Sequence, residues 1–129
     1  MHEGVGVVYY GRRKLIVNKK PKVSVIMPCY NHEKYVAQSI ESVLNQTYDN
    51  IEFIVLDNGS TDGSYRVIKQ YSDRIDKILH FDDNDLTKAG YVLRQECQGE
   101  YMAFMTSDDI WAKEKLEQQM RVLIENPSI

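Results

Sequence analysis

The chain has 129 residues, of which 43% are hydrophobic and 27% charged, and it carries a formal net charge of -3. That length supports one modest core, and the composition is that of a soluble globular domain. A weak negative charge excludes the basic field that nucleic-acid binders present.

Residues 1–21 stand apart from the rest of the chain. Gly4, Gly6 and Gly11 punctuate them, and Arg12, Arg13, Lys14, Lys19 and Lys20 make them basic. A short strand around Leu15 to Val17 fits within what reads as a peripheral arm. Its charge suits an anionic membrane surface or partner, with a solvated leader as the plainer expectation. From Val23 a β-α rhythm sets in. Val23 to Met27 is a short β-rich run closed by Pro28, as a buried parallel strand would be. Glu33 to Asn45 places Val36, Ile40, Val43 and Leu44 at helical spacing, with Asn31 as the expected cap and Glu33 in the first turn. Ile51 to Leu56 is the second strand, with Asp57 at its exit. Gly59 permits a sharp turn, and Ser60, Thr61 and Asp62 can cap a helix to about Tyr71.

The third strand is expected from about Ile75 to Phe81, emptying into the acidic loop Asp82-Asp83-Asn84-Asp85. A helix from about Thr87 to Cys97 stops at Gly99. Tyr101 to Thr106 reads as a fourth, buried strand that ends in Ser107-Asp108-Asp109. A last helix, Ala112 to Glu125, ends before Pro127. Repeated β-α units predict an α/β fold, a mostly parallel sheet with helices on both faces. The chain stops after a helix, where this pattern would next supply a strand, so a truncated domain is expected.

No apolar run is long enough to cross a bilayer, and the first residues lack a signal-peptide core. A cytoplasmic setting is expected, with peripheral contact at the inner face of the membrane as the alternative. Cys29 and Cys97 form no metal spacing or disulfide framework and read as small buried residues.

In a parallel sheet the three strand exits face one edge, which is where ligands bind in open α/β sheets. Asp57 there either accepts amides of the Gly59-Ser60 turn or accepts a ring N–H from a nucleobase such as uracil. Tyr30 stacks on such a base or packs on the sheet rim. Asp62, followed by Gly63 and a helix, reads as a cap. Asp108 and Asp109 either cap a helix or hold a divalent ion, Mg²⁺ or Mn²⁺, carried with substrate phosphates. The turn into Trp111 breaks strand alternation, so both carboxylates are expected to reach one ligand. His32 and His80 show no trusted spacing to a nucleophile, and no Gly-x-Ser-x-Gly elbow occurs. The absence of a phosphate loop and of Gly-x-Gly-x-x-Gly opening a helix argues against P-loop and dinucleotide sites.

At Val23 to Asn31 (VSVIMPCYN), Ile51 to Gly63 (IEFIVLDNGSTDG) and Gly99 to Trp111 (GEYMAFMTSDDIW) the sequence resembles glycosyltransferase family 2, with its Rossmann-like GT-A fold. The match runs from about Pro21 to Ile129, in order and at familiar spacing. The resemblance implies an inverting transferase with a nucleotide-sugar donor, usually a UDP-sugar, and a saccharide or lipid-linked acceptor in polysaccharide or cell-envelope synthesis. It implies that Pro28 and Tyr30 border the base, Asp57 binds uracil, Lys88 reaches a phosphate, Asp108 takes the ribose or sugar, and Asp109 takes the Mn²⁺ or Mg²⁺ of a DxD-type motif. Two departures stand out. Thr106 occupies the position where that motif commonly begins with aspartate, and residues 84–96 lack the usual asparagine- and glycine-bearing pattern. The family's catalytic base would fall beyond Ile129, so the expected organisation is a basic arm (1–21) and a nucleotide-sugar-binding half (22–129). Two other readings compete: a nucleotide-sugar-binding module without catalysis, and a phosphoacceptor-like domain whose strand-end aspartate is phosphorylated.

Overall fold

The computed structural model describes the backbone of residues 5–10, 13–18 and 20–126, and the side chains of 20–126. The side chains of Arg12, Arg13, Lys14 and Lys19, expected to make a basic arm, lie outside the described residues, as do Gly4, Gly11 and the helix-ending Pro127. Strands β1 (Val5–Tyr10) and β2 (Arg13–Asn18) pair antiparallel as a hairpin. The expected strand at Leu15 to Val17 is the middle of β2.

The main sheet holds β3 (Val23–Cys29), β4 (Ile51–Asn58), β5 (Lys77–Phe81) and β6 (Tyr101–Phe104) in the order β5-β4-β3-β6. All three pairings are parallel. The helices are α1 (Val36–Leu44), α2 (Ser64–Lys69), α3 (Leu86–Glu96) and α4 (Lys115–Glu125). Alternate strand positions serve two cores. Val25, Met27, Phe53 and Val55 pack with Val36 and Ile40 of α1, Ile68 of α2, and Leu116 and Met120 of α4. Ile26, Ile54 and Leu56 pack with Ala89 and Leu93 of α3 on the opposite face. Burial of each such side chain contributes about 1.5–3 kcal/mol, so the sheet is clamped from both sides. This is the expected α/β arrangement.

Four local expectations are corrected. Asn31 does not cap α1: it adopts φ 53°, and its Oδ1 accepts the Thr61 amide at 2.8 Å. It ties the β3 exit to the β4 exit instead, and α1 starts only at Val36, after a turn in which His32 O accepts the amides of Tyr35 and Val36. Glu33 therefore lies before the helix, where its Oε1 accepts the Gly63 amide at 3.0 Å. Among the described residues β6 is not buried: there it pairs with β3 alone, and Tyr101, Met102 and Phe104 are 40%, 49% and 57% exposed. An apolar run reads as central until its neighbours are known; among the described residues it is the outer strand of the order β5-β4-β3-β6.

At the entry end of the strands, Glu52 of β4 is buried and its Oε1 accepts the Ser24 hydroxyl at 2.6 Å and the Gln98 amide at 2.8 Å. Gly99 completes the knot by donating its amide to Ser24 Oγ at 2.8 Å. At the exit end, Gly59 has φ 75°, and a Cβ there would lie 2.3 Å from the Asp83 carbonyl carbon. Only glycine lets the loop after β5 press this closely on the end of β4. Asn58 fixes the same loop, donating Nδ2 to Asn84 Oδ1 at 3.0 Å and accepting the Asp85 amide at 3.1 Å.

Candidate functional site

Parallel pairing sends every exit of the main sheet to one edge, and register sets who meets there. Asp57 sits opposite Cys29 on one side and His80 on the other. Its side chain is fully buried. Oδ2 accepts the Ser60 amide at 3.3 Å and faces His80 Nδ1 at 3.0 Å. A carboxylate oxygen accepts, so Nδ1 carries the proton of that contact. Oδ1 is buried and has no hydrogen-bond partner among the described residues. A buried carboxylate oxygen without a donor is costly, and such atoms in native folds call for a specific explanation.

His80 is held in turn. Its ring stacks on Tyr65 of α2 with centroids 4.1 Å apart and planes 11° apart, and Nε2 lies 3.7 Å from the exposed Asp82. Lys69 Nζ lies 4.4 Å from the Tyr65 ring. Sequence reading passed over His80 because it looked for nucleophiles. The available signal was positional: Asp57 and His80 each stand one residue before the end of neighbouring parallel strands.

Beside Asp57 a hollow of about 350 Å³ is lined by Pro28, Cys29, Tyr30, His32, Asn58, Leu86, Thr106, Ser107 and Asp108. Pro28, Tyr30 and Asp108 thus share one wall system; Asp57 does not line it but adjoins two residues that do, Cys29 across the ladder and Asn58 next in the chain. His32 was also passed over: its Nδ1 lies 2.6 Å from the buried Ser107 Oγ and its Nε2 3.9 Å from Asp108 Oδ2. Burial pushes the Cys29 thiol up, against the hydrogen bonds of Ser107 and Ser64 that pull it down, so it stays a protonated, unreactive wall group. Asp62 stands one residue before Gly63, the N-cap of α2, and accepts the amide of the first helical residue, Ser64, at 2.9 Å and its hydroxyl at 2.6 Å. Burial raises the Asp62 carboxyl, but these bonds outweigh it and hold it below the ordinary range.

The acidic pair lies on a turn closed by the Asp109 amide donating to Thr106 O at 3.2 Å. Both carboxylates are exposed. Asp109 Oδ1 accepts the Ile110 amide at 2.8 Å, and its carbonyl accepts the Ser39 hydroxyl. It does not line the hollow that Asp108 lines. Lys88 also stands outside that wall: Asp85, the N-cap of α3, accepts its amide at 3.0 Å, and its Nζ lies 4.5 Å from the Phe81 ring centre. Among the described residues no group of three or more His, Cys, Asp or Glu could hold a metal ion. Two adjacent carboxylates without a third ligand fit an ion brought in with a diphosphate, not one caged by protein alone. A larger hollow of about 590 Å³ runs beside α4, lined by residues such as Tyr48, Met120 and Arg121. It contains no strand-exit carboxylate, and size alone does not make it the site.

A parallel sheet with this acidic rim is the GT-A architecture, and comparison with known proteins agrees. The family model for glycosyl transferase family 2 matches residues 24–129, and the chain belongs to that family. It is 39% identical over 114 residues to the putative teichuronic acid biosynthesis glycosyltransferase TuaG of Bacillus subtilis, covering 85% of this chain and 45% of that protein. Among solved structures it is similar to S. aureus TarS 1-349 in complex with UDP, at TM-score 0.75 and 29% identity over 81% of this chain and 32% of that one. The mannosyltransferase PcManGT of Pyrobaculum calidifontis, in complex with GDP-Man and Mn²⁺, shares the fold at TM-score 0.74 and 22% identity, covering 81% of this chain and 32% of that one. The chain spans less than half the length of these relatives. Among the described residues no helix is long and apolar enough to cross a membrane.

Proposed function

We propose that residues 22–129 are the donor-binding half of a metal-dependent, inverting glycosyltransferase. It would move a sugar from a UDP-sugar to a hydroxyl of a saccharide or lipid-linked acceptor in envelope polysaccharide synthesis. The observation that carries this reading is the unpartnered Oδ1 of buried Asp57 beside the rim hollow. Uracil offers N3–H to such an acceptor, whereas cytosine presents a lone pair at N3 and would be repelled. Oδ1 is buried, so the base reaches it by displacing side chains around the hollow. Pro28 and the half-exposed Tyr30 border the base, and Tyr30 has a free face for stacking.

Asp108 takes the ribose or sugar hydroxyls, and Asp109 holds the Mn²⁺ or Mg²⁺. When bound, the ion supplies positive charge to the departing diphosphate. Lys88 reaches a phosphate by swinging away from Phe81. His32 steadies the loop by contacting Ser107 and Asp108 together. The base that takes the acceptor proton belongs to the part of the relatives' length that this chain does not span. Residues 1–21 serve as a basic arm, and the protein works in the cytoplasm at the inner face of the membrane. The teichuronic acid role of TuaG and the UDP bound to TarS support the donor and pathway class.

Calorimetric titration of UDP, CDP, GDP and ADP, with and without Mn²⁺, tests the reading. UDP should bind best, and Asp57→Asn should shift preference towards CDP, because the amide presents a donor where the carboxylate accepts. Equal binding of all four nucleotides would overturn it.

A further inference from the structure

We propose that His80 is a positioning residue that sets base specificity by holding the Asp57 carboxylate in one orientation; this rests on the reading of Asp57 as the base acceptor. The terminal torsion of an aspartate is broad and roughly two-fold, so a carboxylate held on one side only can exchange its oxygens or tilt. Here Oδ2 is engaged by two groups at once, the Ser60 amide at 3.3 Å and His80 Nδ1 at 3.0 Å. That saturates Oδ2 and leaves Oδ1 as the one oxygen free to meet a ligand.

The support continues outward. Ladder register places His80 directly opposite Asp57, so their separation is fixed by backbone hydrogen bonds between β4 and β5. The Tyr65 stack fixes the plane of the ring and so the direction of its Nδ1–H. Asp82 lies 3.7 Å from Nε2 but is fully solvated, which makes it a weak restraint beside the stack and the ladder. A lysine at position 80 would bring charge without direction, whereas an imidazole clamped on an aromatic face delivers one N–H along one line. His80 need not touch the nucleotide; it acts through Asp57.

Three variants separate direction from packing. His80→Phe keeps the ring stack on Tyr65 and removes the donor. His80→Asn returns a donor close to the Nδ1 position, and His80→Gln places one farther out, near Nε2. UDP and CDP affinities are measured by calorimetry for each variant, alongside Asp57→Ala and thermal unfolding of every protein. His80→Phe should weaken UDP by about ten-fold with CDP almost unchanged, because a hydrogen bond to a charged group is lost from the acceptor's support. His80→Asn should recover UDP to within about three-fold of the parent, and His80→Gln should not. A role in packing alone would not reproduce that split between the two amides. If His80→Phe does not fold, the Asn and Gln pair decides: equal UDP-to-CDP ratios overturn the proposal. A parent-like ratio in His80→Phe also overturns it, while loss of binding in Asp57→Ala leaves the base-acceptor reading intact. Indifference to Asp57→Ala would sink both.

Discussion

Strand β4 buries a carboxylate near each end, and the fold treats the two oppositely. Glu52, at the entry end, is 7% exposed, and one of its oxygens accepts two hydrogen bonds from groups on β3 and after α3. Burial pushes its carboxyl up, but the Ser24 hydroxyl and Gln98 amide, with the charges of Lys77 and Lys22, outweigh it and hold it below the ordinary 4.5. Asp57, at the exit end, is more deeply buried yet keeps one oxygen without a donor. A satisfied buried carboxylate fastens elements together. One left half-satisfied calls for a partner outside the fold, which is the role proposed for the base.

Substitution should separate the two ends. The largest effect belongs to Asp57→Ala, which should weaken UDP by about a hundred-fold in calorimetry. Its unfolding free energy should fall by less than that of Glu52→Ala, about 1 kcal/mol, since removal of an unpaired buried oxygen offsets the lost Ser60 and His80 bonds, whose donors are partly open to water. Glu52→Ala should do the reverse, costing about 2–3 kcal/mol in urea unfolding because the buried Ser24 hydroxyl and the partly buried Gln98 amide lose their acceptor. It should leave UDP affinity within about two-fold of the parent. A large binding loss from Glu52→Ala would break the contrast.

Gly59→Ala sharpens the contrast from the backbone side. A methyl group there adds left-handed strain of about 1–2 kcal/mol and drives into the Asp83–Asn84 backbone. Both stability and UDP binding should fall, because the loop it displaces flanks Asp57. At the entry end Gly99→Ala meets Ser24 Oγ at 2.7 Å and Lys22 O at 2.8 Å, and should cost stability alone. The smallest effect is one of pH. A carboxyl whose folded value is depressed contributes stability above its unfolded value and loses it as pH falls through the folded one. The stability gap between the parent and Glu52→Gln should therefore be open at neutral pH and close as pH drops below the ordinary 4.5. A gap that widens in acid would contradict the hydrogen-bonded role of Glu52.

The alternation of strands and helices, and the gathering of Pro28, Tyr30, Asp57 and Asp108 at one edge, were legible because parallel connectivity dictates both. Asp57 stood out as a carboxylate at the end of an apolar run. Its partner did not: nothing local to residues 75–85 says that His80 faces it, since that depends on the register between β4 and β5. Exposure of β6 was hidden for a related reason, as Tyr101 to Phe104 looks the same whether a strand has one neighbour or two. Asn31 read as a helix cap because its chemistry suits one. Long-range amides at Thr61 and Asp62 claimed it instead.

The meeting of Asp57 with His80 through the ladder has an evolutionary consequence. A contact set by strand register survives insertions and substitutions in the loops around it, whereas slipping β5 by one residue would turn the imidazole to the opposite face. Descendants of this fold can therefore diversify what the loops grasp while inheriting the same carboxylate–imidazole contact, and an altered contact would demand changes on two strands at once.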